Sequence, residues 1–401
     1  MTSSKIFIDI FFQKLFILAS LTLLLLLALF SSPLLFEHLI FVNKYFRLVL
    51  GVSALVFLLL ASNRINRIDI LIGFFVFINF LLEFLWKSKI QNILSYFSII
   101  SVYFLFLRIL KLNQNYRRYF LKMWIQIAYL ASISSIALFL INQFTNIDTN
   151  IFKLETWVLL SPNNFKFHLF GITLDKPYGP FTLTRVYGYF IEPQYAGFYF
   201  TMNLLIASYI GDFKNKKYWV LLNLIAGMVT FSTTFFLSLV PISLLAFTGI
   251  KFRILFYLLF LTLLSIFIFE YDDMKQSEVF NLTSFADREI RFKSAIKVIE
   301  KSDDLDMYLG HGVEFQNEYG GPPFSAGFFI ALIERGLLGL TFLFLMISFA
   351  HAKRFTVLIV LLLYLFAAPL YVNYLFWISI LAIWAADKRR RDLKQNMLVA
   401  A

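Results

Sequence analysis

Leu15-Phe-Ile-Leu-Ala-Ser-Leu-Thr-Leu-Leu-Leu-Leu-Leu-Ala-Leu-Phe30 runs on, interrupted only by Ser31-Ser32-Pro33, to Phe36. At about 1.5 Å per residue, a helix of this run reaches across a hydrocarbon core of roughly 30 Å. It is too long for the apolar region of a secretory leader, and similar runs follow it along the chain, so it reads as a retained first helix. Ile254 to Phe269 is another such run. With 60% of residues apolar and 15% charged, a soluble domain of this length could not bury so much apolar surface in its core. The expected solvent is lipid.

Placing spans by hydropathy gives helices near 15–36, 46–62, 68–86, 90–108, 121–141, 193–210, 218–231, 234–249, 254–270, 325–350, 355–368 and 370–386. The fold class expected is therefore all-α, a polytopic integral membrane protein of about 12 spans in a single membrane domain, 1–401. The formal charge of +12 fits this reading without nucleic acid. Lys5/Lys14, Arg64/Arg67, Arg108 to Lys122, Lys214 to Lys217, Lys251/Arg253, Lys353/Arg354 and Lys388 to Lys394 occupy alternate connectors. That is the positive-inside pattern, and it places both termini in the cytoplasm. The count needs two tight helical hairpins, in 218–250 around Ser232-Thr233-Thr234 and in 355–386 around Pro369. Re-entrant segments are the alternative at both.

Two connectors are far longer than the rest, 142–192 and 271–324, and both fall on the outer side. Long connectors with structure of their own are usually functional. The first ends in Arg185-Val-Tyr-Gly-Tyr-Phe-Ile-Glu192-Pro193 and then enters a helix. Proline suits the first helical position, so Glu192 is either the N-cap, accepting free backbone N–H groups, or a carboxylate able to take a proton from a sugar hydroxyl. Arg185 is either an interfacial anchor or an anion ligand. Tyr178, Phe181, Tyr187, Tyr189 and Phe190 around it suit an interfacial shelf or a sugar platform.

In the second connector an amphipathic helix is expected from a cap at Ser284 or Asp287 to about Glu300. Phe292, Ala295, Ile296 and Ile299 form its apolar stripe. Lys293, Lys297 and Lys301 recur on the opposite face, as a solvated or headgroup-facing surface. Arg288 projects within the apolar stripe and Arg291 at its edge. An inward arginine needs an anionic partner: its planar fork suits phosphate oxygens, and loop carboxylates are the alternative. Beyond this helix come Gly310-His311-Gly312 and Ile333-Glu334-Arg335-Gly336-Leu-Leu-Gly339. His311 sits on a backbone free to approach a ligand, although a lone loop histidine is more often incidental. Glu334 and Arg335 lie well inside an apolar helix, where charge normally faces an aqueous cavity or a partner.

No second His or Cys is spaced to join His311 in a metal site, and the chain has no cysteine. Asp272-Asp273 and Asp303-Asp304 read as solvated loop carboxylates, and no nucleotide-binding glycine loop is present.

Arg185-x-x-Gly188-x-x-x-Glu192-Pro193 entering a helix, the Gly310-His-Gly312 turn and Ile333-Glu-Arg-Gly-Leu-Leu-Gly339 resemble the O-antigen and capsular polysaccharide polymerases of the Wzy type, in the group that includes the O-antigen ligases. Ligases of that group usually carry a His-Asn pair shortly before the last motif; here Ser325-Ala326 stands there, which favours polymerase. The resemblance implies a cofactor-free, metal-independent glycosyl transfer at the periplasmic face of the bacterial inner membrane. The growing polysaccharide on undecaprenyl diphosphate would pass to the sugar of an incoming lipid-linked repeat unit. Arg185, Arg288 and Arg291 would then neutralise the diphosphate, Glu192 or His311 would activate the acceptor hydroxyl, and Glu334 and Arg335 would be buried polar support. The implied partners are lipid-linked oligosaccharide and polysaccharide and the bilayer itself, with a chain-length regulator as a further candidate. The competing classes are an O-antigen ligase and a non-enzymatic flippase or transporter. A transporter should carry ionisable residues on facing helices at midplane, and apart from Glu334-Arg335 these spans are nearly free of charge.

Overall fold

The computed structural model describes residues 103, 106–111, 114–145, 147, 149–158, 161–168, 171–178, 181–190, 193–210, 215–247, 283–312, 315, 319, 327–351, 355–367, 370 and 374–400. The first four spans expected from hydropathy, and the one at 254–270, lie outside or almost wholly outside these residues. The described part is mostly helical. In chain order it runs α1 (Gln114–Phe144), β1 (Asn150–Val158), β2 (Ser161–His168), β3 (Gly171–Tyr178), β4 (Phe181–Gly188), α2 (Pro193–Tyr209), α3 (Lys216–Met228) and α4 (Thr233–Phe247). It continues with α5 (Thr283–Lys301), α6 (Asp304–Leu309), α7 (Gly327–His351), α8 (Phe355–Ala367) and α9 (Tyr374–Ala400).

Two compact units hold these elements. The first contains Leu94–Phe235 and Leu370–Ala401, the second Phe236–Pro369.

In the first unit, α2 is the central helix. Every residue from Ala196 to Ala207 is buried, as expected of a helix apolar on all sides. Against it lies α1, whose buried face is built from Trp124, Ala128, Ala131, Ser132, Ser135 and Leu138. Large side chains point the other way: Leu130 is 67% exposed and Ile133 52%. Between Ala128 and Ser135 this helix turns alanine and serine inward and leucine and isoleucine outward, the reverse of a water-soluble bundle. Small inward residues let backbones approach closely, as between helices in lipid. Trp124 Nε1 donates to Asn203 Oδ1 at 2.7 Å, and Asn203 Nδ2 donates to Asn223 Oδ1 at 2.7 Å. Asn223 Nδ2 in turn donates to the Trp219 carbonyl at 2.8 Å, so one buried polar chain ties α1, α2 and α3 together. Helix α9 adds Phe376, stacked on Phe198 at 5.7 Å. Its basic end begins with Asp387 paired to Arg391 at 3.0 Å. Burial, and then the positive charge of Arg118, hold the Arg389 guanidinium below its usual value.

Helix bounds expected at 193–210, 218–231, 234–249 and 355–368 agree closely with α2, α3, α4 and α8. Where the first tight hairpin is expected there are two helices, α3 and α4, separated by a four-residue joint at 229–232. Among the described residues, two helices, Gln114–Phe144 and Gly327–Leu345, are by length and composition apolar enough to cross a membrane, and Thr233–Ser243 and Thr356–Leu365 are shorter apolar helices.

The expectation of an all-α chain fails in one place. The connector 142–192 holds a four-stranded antiparallel meander, β1-β2-β3-β4, whose strands are joined by two residues each. Its reason is legible in retrospect. Phe165-Lys-Phe-His and Thr182-Leu-Thr-Arg-Val-Tyr alternate in the period of a pleated strand, and β-branched and aromatic residues favour that surface. Register pairs Phe167 with Ile172 and Leu174 with Arg185. The opposite face of β4 packs through Val186 on Leu138 of α1 and on Val229.

In the second unit, α5 lies against α7 through Ala295, Val298, Ile330 and Ile333. Phe292 meets Phe329 edge-to-face at 5.1 Å. The amphipathic helix expected from 284 or 287 to 300 is therefore present as Thr283–Lys301, with Lys293, Lys297 and Lys301 exposed.

Candidate functional site

The residues singled out from sequence divide between the two units. In the first, β4 carries Arg185 on the face it shares with Leu174 and Tyr187, since opposite partners in a ladder and residues two apart point the same way. Its Nη2 donates to the carbonyl of Phe231 at 2.7 Å. Phe231 is in the α3–α4 joint and has φ +48°, a left-handed conformation that costs an aromatic residue about 1–2 kcal/mol. The joint is held from several sides. Val186 N–H donates to the Val229 carbonyl at 3.2 Å, Thr230 Oγ1 donates to the Gly227 carbonyl at 2.6 Å, and Ser232 Oγ accepts from Phe235 N–H at 3.4 Å. Arg185 is thus one of the groups that fix a strained turn. Tyr187 and Phe190 are buried, and the Phe190 ring lies 5.4 Å from that of Tyr199, so these two aromatics are packing rather than an open platform. Pro193 is the first residue of α2, as expected. Glu192 lies outside the described residues, as do the side chains of Tyr178 and Phe181.

In the second unit, two stretches far apart in sequence come together. Helix α7 is broken at Gly336, whose φ of +63° and ψ of −172° no L residue adopts without strain. The span expected as one continuous helix at 325–350 is two helical pieces. Carbonyls in the turn before a break need donors, and the loop after α6 supplies them. His311 N–H donates to the Ile333 carbonyl at 2.7 Å and Gly312 N–H to the Glu334 carbonyl at 3.1 Å. The approach is too close for side chains at the crossing. A Cβ on Gly310, where φ is +85°, would collide with the Arg335 and Glu334 backbone, and one on Gly336 would collide with the Tyr308 carbonyl. This is why glycines stand at both positions.

Above this main-chain lock sits the His311 ring. Its Nε2 is 2.7 Å from Ser302 Oγ, and its Nδ1 is 3.3 Å from Asp306 Oδ2. The ring stacks on Phe315 at 4.4 Å. Ser302 follows α5, and its Oγ is also 2.8 Å from the Val298 carbonyl. Asp306 is placed by α6, which Asp303 caps by accepting from Asp306 N–H at 2.7 Å. Asp303, expected as a solvated loop carboxylate, is a helix cap. Sequence reasoning found His311 and overlooked Ser302 and Asp306. The only available signal was their position within a turn or two of the histidine, at the end of one helix and inside the next.

Glu334 is buried and Arg335 half-buried, both at the turn that receives the His311 loop. Arg291 is half-buried on α5. The side chain of Arg288 lies outside the described residues. Among the described residues no three His, Asp or Glu side chains converge to hold a metal ion.

A histidine held at one nitrogen by a carboxylate and at the other by a hydroxyl is a proton-transfer device in geometry. No protein-family model and no curated protein matches this sequence.

Proposed function

We propose that this chain is a polytopic bacterial inner-membrane glycosyltransferase that polymerises undecaprenyl-diphosphate-linked oligosaccharide repeats at the periplasmic face. The observation that carries the reading is the docking of the Gly310-His311-Gly312 loop on the Ile333-Glu334 turn. The glycine-histidine turn of the second connector and the motif in the helix that follows it are one structural element, and it presents an imidazole to a hydroxyl. Support for the membrane setting comes from α1, which buries Ala128, Ala131, Ser132 and Ser135 while exposing Leu130 and Ile133. The broken helix α7 fits the same setting. Irregular backbone at membrane depth is tolerated where protein groups satisfy it, as His311 and Gly312 satisfy this turn.

In the proposed reaction the acceptor hydroxyl loses its proton to His311 Nε2 as its oxygen bonds the anomeric carbon of the growing chain. The bond from that carbon to the lipid diphosphate breaks, and arginines stabilise the anionic leaving group. Arg288 and Arg291 are the proposed diphosphate ligands and Glu192 the alternative base. Arg185 is kept as a ligand only for the donor capacity left beyond its bond to Phe231.

The test is a deletion strain making a lipid-linked polysaccharide. Single repeats should accumulate on the outer leaflet, and the restored gene should return the polymer ladder. Long lipid-linked polymer in the deletion would mark a ligase, and repeats trapped on the inner leaflet would mark a flippase. Either result overturns the proposal.

A further inference from the structure

We infer that Asp306 is the residue that positions His311, fixing its proton on Nδ1, and that Ser302 is a displaceable hydroxyl occupying the place of the incoming acceptor. The inference rests on His311 being the base proposed above, but the wiring it describes can be observed without any turnover.

A neutral imidazole has one N–H and one lone pair, and its neighbours decide which nitrogen holds which. Asp306 is a carboxylate and can only accept, so its approach to 3.3 Å favours the tautomer with the proton on Nδ1. The lone pair is then on Nε2, facing Ser302 Oγ at 2.7 Å. Ser302 has a single hydroxyl proton and two acceptors for it, Nε2 and the Val298 carbonyl at 2.8 Å. Rotating that proton from Nε2 to the carbonyl frees the lone pair without leaving the serine donor unsatisfied. Nε2 can therefore exchange Ser302 for a sugar hydroxyl at little cost.

The remaining surroundings immobilise the ring. Phe315 stacks on its face, and the main chain of His311 is pinned to Ile333. The ionisable residues around it are Asp306 from α6, Glu334 and Arg335 at the α7 turn, and Glu300 and Lys301, both exposed, at the end of α5. Asp306 Oδ2 lies 3.3 Å from Nδ1 of the ring. When the acceptor proton reaches Nε2 the ring becomes an imidazolium. Asp306 stabilises that charge until the proton passes to solvent, and it is not itself protonated.

The experiment uses the full chain in lipid nanodiscs with 15N-labelled histidine. The chain has four histidines, and the resonances missing from His311→Gln identify those of His311. Wild type should show Nδ1 protonated and Nε2 bearing the lone pair at neutral pH. Asp306→Asn should mix or reverse the tautomers, and Asp306→Glu should restore them. In a polymerisation assay Asp306→Asn should lower kcat by about 10- to 100-fold with KM little changed, Asp306→Glu should recover part of the loss, and Ser302→Ala, which removes the hydroxyl competing for Nε2, should lower KM for the incoming unit by about twofold or more. A wild-type His311 protonated on Nε2, or a tautomer indifferent to Asp306→Asn, overturns the inference even if the variant folds poorly in cells. Correct tautomers together with full polymerisation by His311→Gln would leave the wiring intact and overturn His311 as the base.

Discussion

Arg185 and His311 both stand beside glycines and aromatic residues in the two long connectors, yet the protein uses them in opposite ways. At Arg185 the side chain serves the backbone: its guanidinium donates to the Phe231 carbonyl and holds a turn with positive φ. At His311 the backbone serves the side chain. Two main-chain N–H groups anchor the loop on the broken helix, and the ring nitrogens are left to face Ser302 and Asp306. A polar group already engaged in holding the fold has less capacity for a ligand. A group whose restraint comes from its main chain keeps its side-chain chemistry available.

That contrast can be broken by substitution. His311→Ala should have the largest effect, a loss of roughly 100- to 10,000-fold in the rate of the proposed polymerisation, against only a modest fall in melting temperature from the lost contacts to Ser302, Asp306 and Phe315. If unfolding moved as much as activity, His311 would be a structural residue like Arg185. Gly336→Ala comes next. It sets a Cβ against the Tyr308 carbonyl at a positive φ, and the strain and overpacking together should cost about 2–4 kcal/mol of stability, seen as a lowered melting temperature and lost activity. Arg185→Met should destabilise by about 1.5–3 kcal/mol, the worth of a hydrogen bond to a charged donor. Arg185→Lys should recover only part of this, because one ammonium replaces a planar fork. A polymerisation defect in Arg185→Met with no change in melting would return Arg185 to the ligand class. The smallest effect is expected at Ser132→Ala, which removes the 3.3 Å hydrogen bond to Asn223 Oδ1, about 0.6 kcal/mol, the average for an interhelical hydrogen bond in membranes. It should appear as a small melting shift with unchanged activity.

Much of this was readable in the chain. Pro193 fixed the start of α2, since proline needs no N–H donor partner at the first helical position. The lysine period at 293, 297 and 301 fixed the solvated face of α5, and Ser232 marked the joint between α3 and α4. The meander is not legible from the chain because polar and apolar residues alternate cleanly only in 165–168 and 182–187, and the rest of the connector has no strand period. The break at Gly336 was missed because a single glycine in an apolar helix is usually tolerated. Nothing local in the sequence says that the loop of another motif will pair with that turn.

The sequence by itself determined which segments are apolar, which of them form α2, α3, α4, α5 and α8 to within a few residues at each end, and which residue types are available for chemistry. These follow from period, capping and propensity, all local properties. Only the tertiary structure decided that Arg185 would secure a strained turn while His311 would be held between Ser302 and Asp306. Such roles depend on which donor meets which acceptor, and that meeting requires helix α7 to break at Gly336 and accept the His311 main chain.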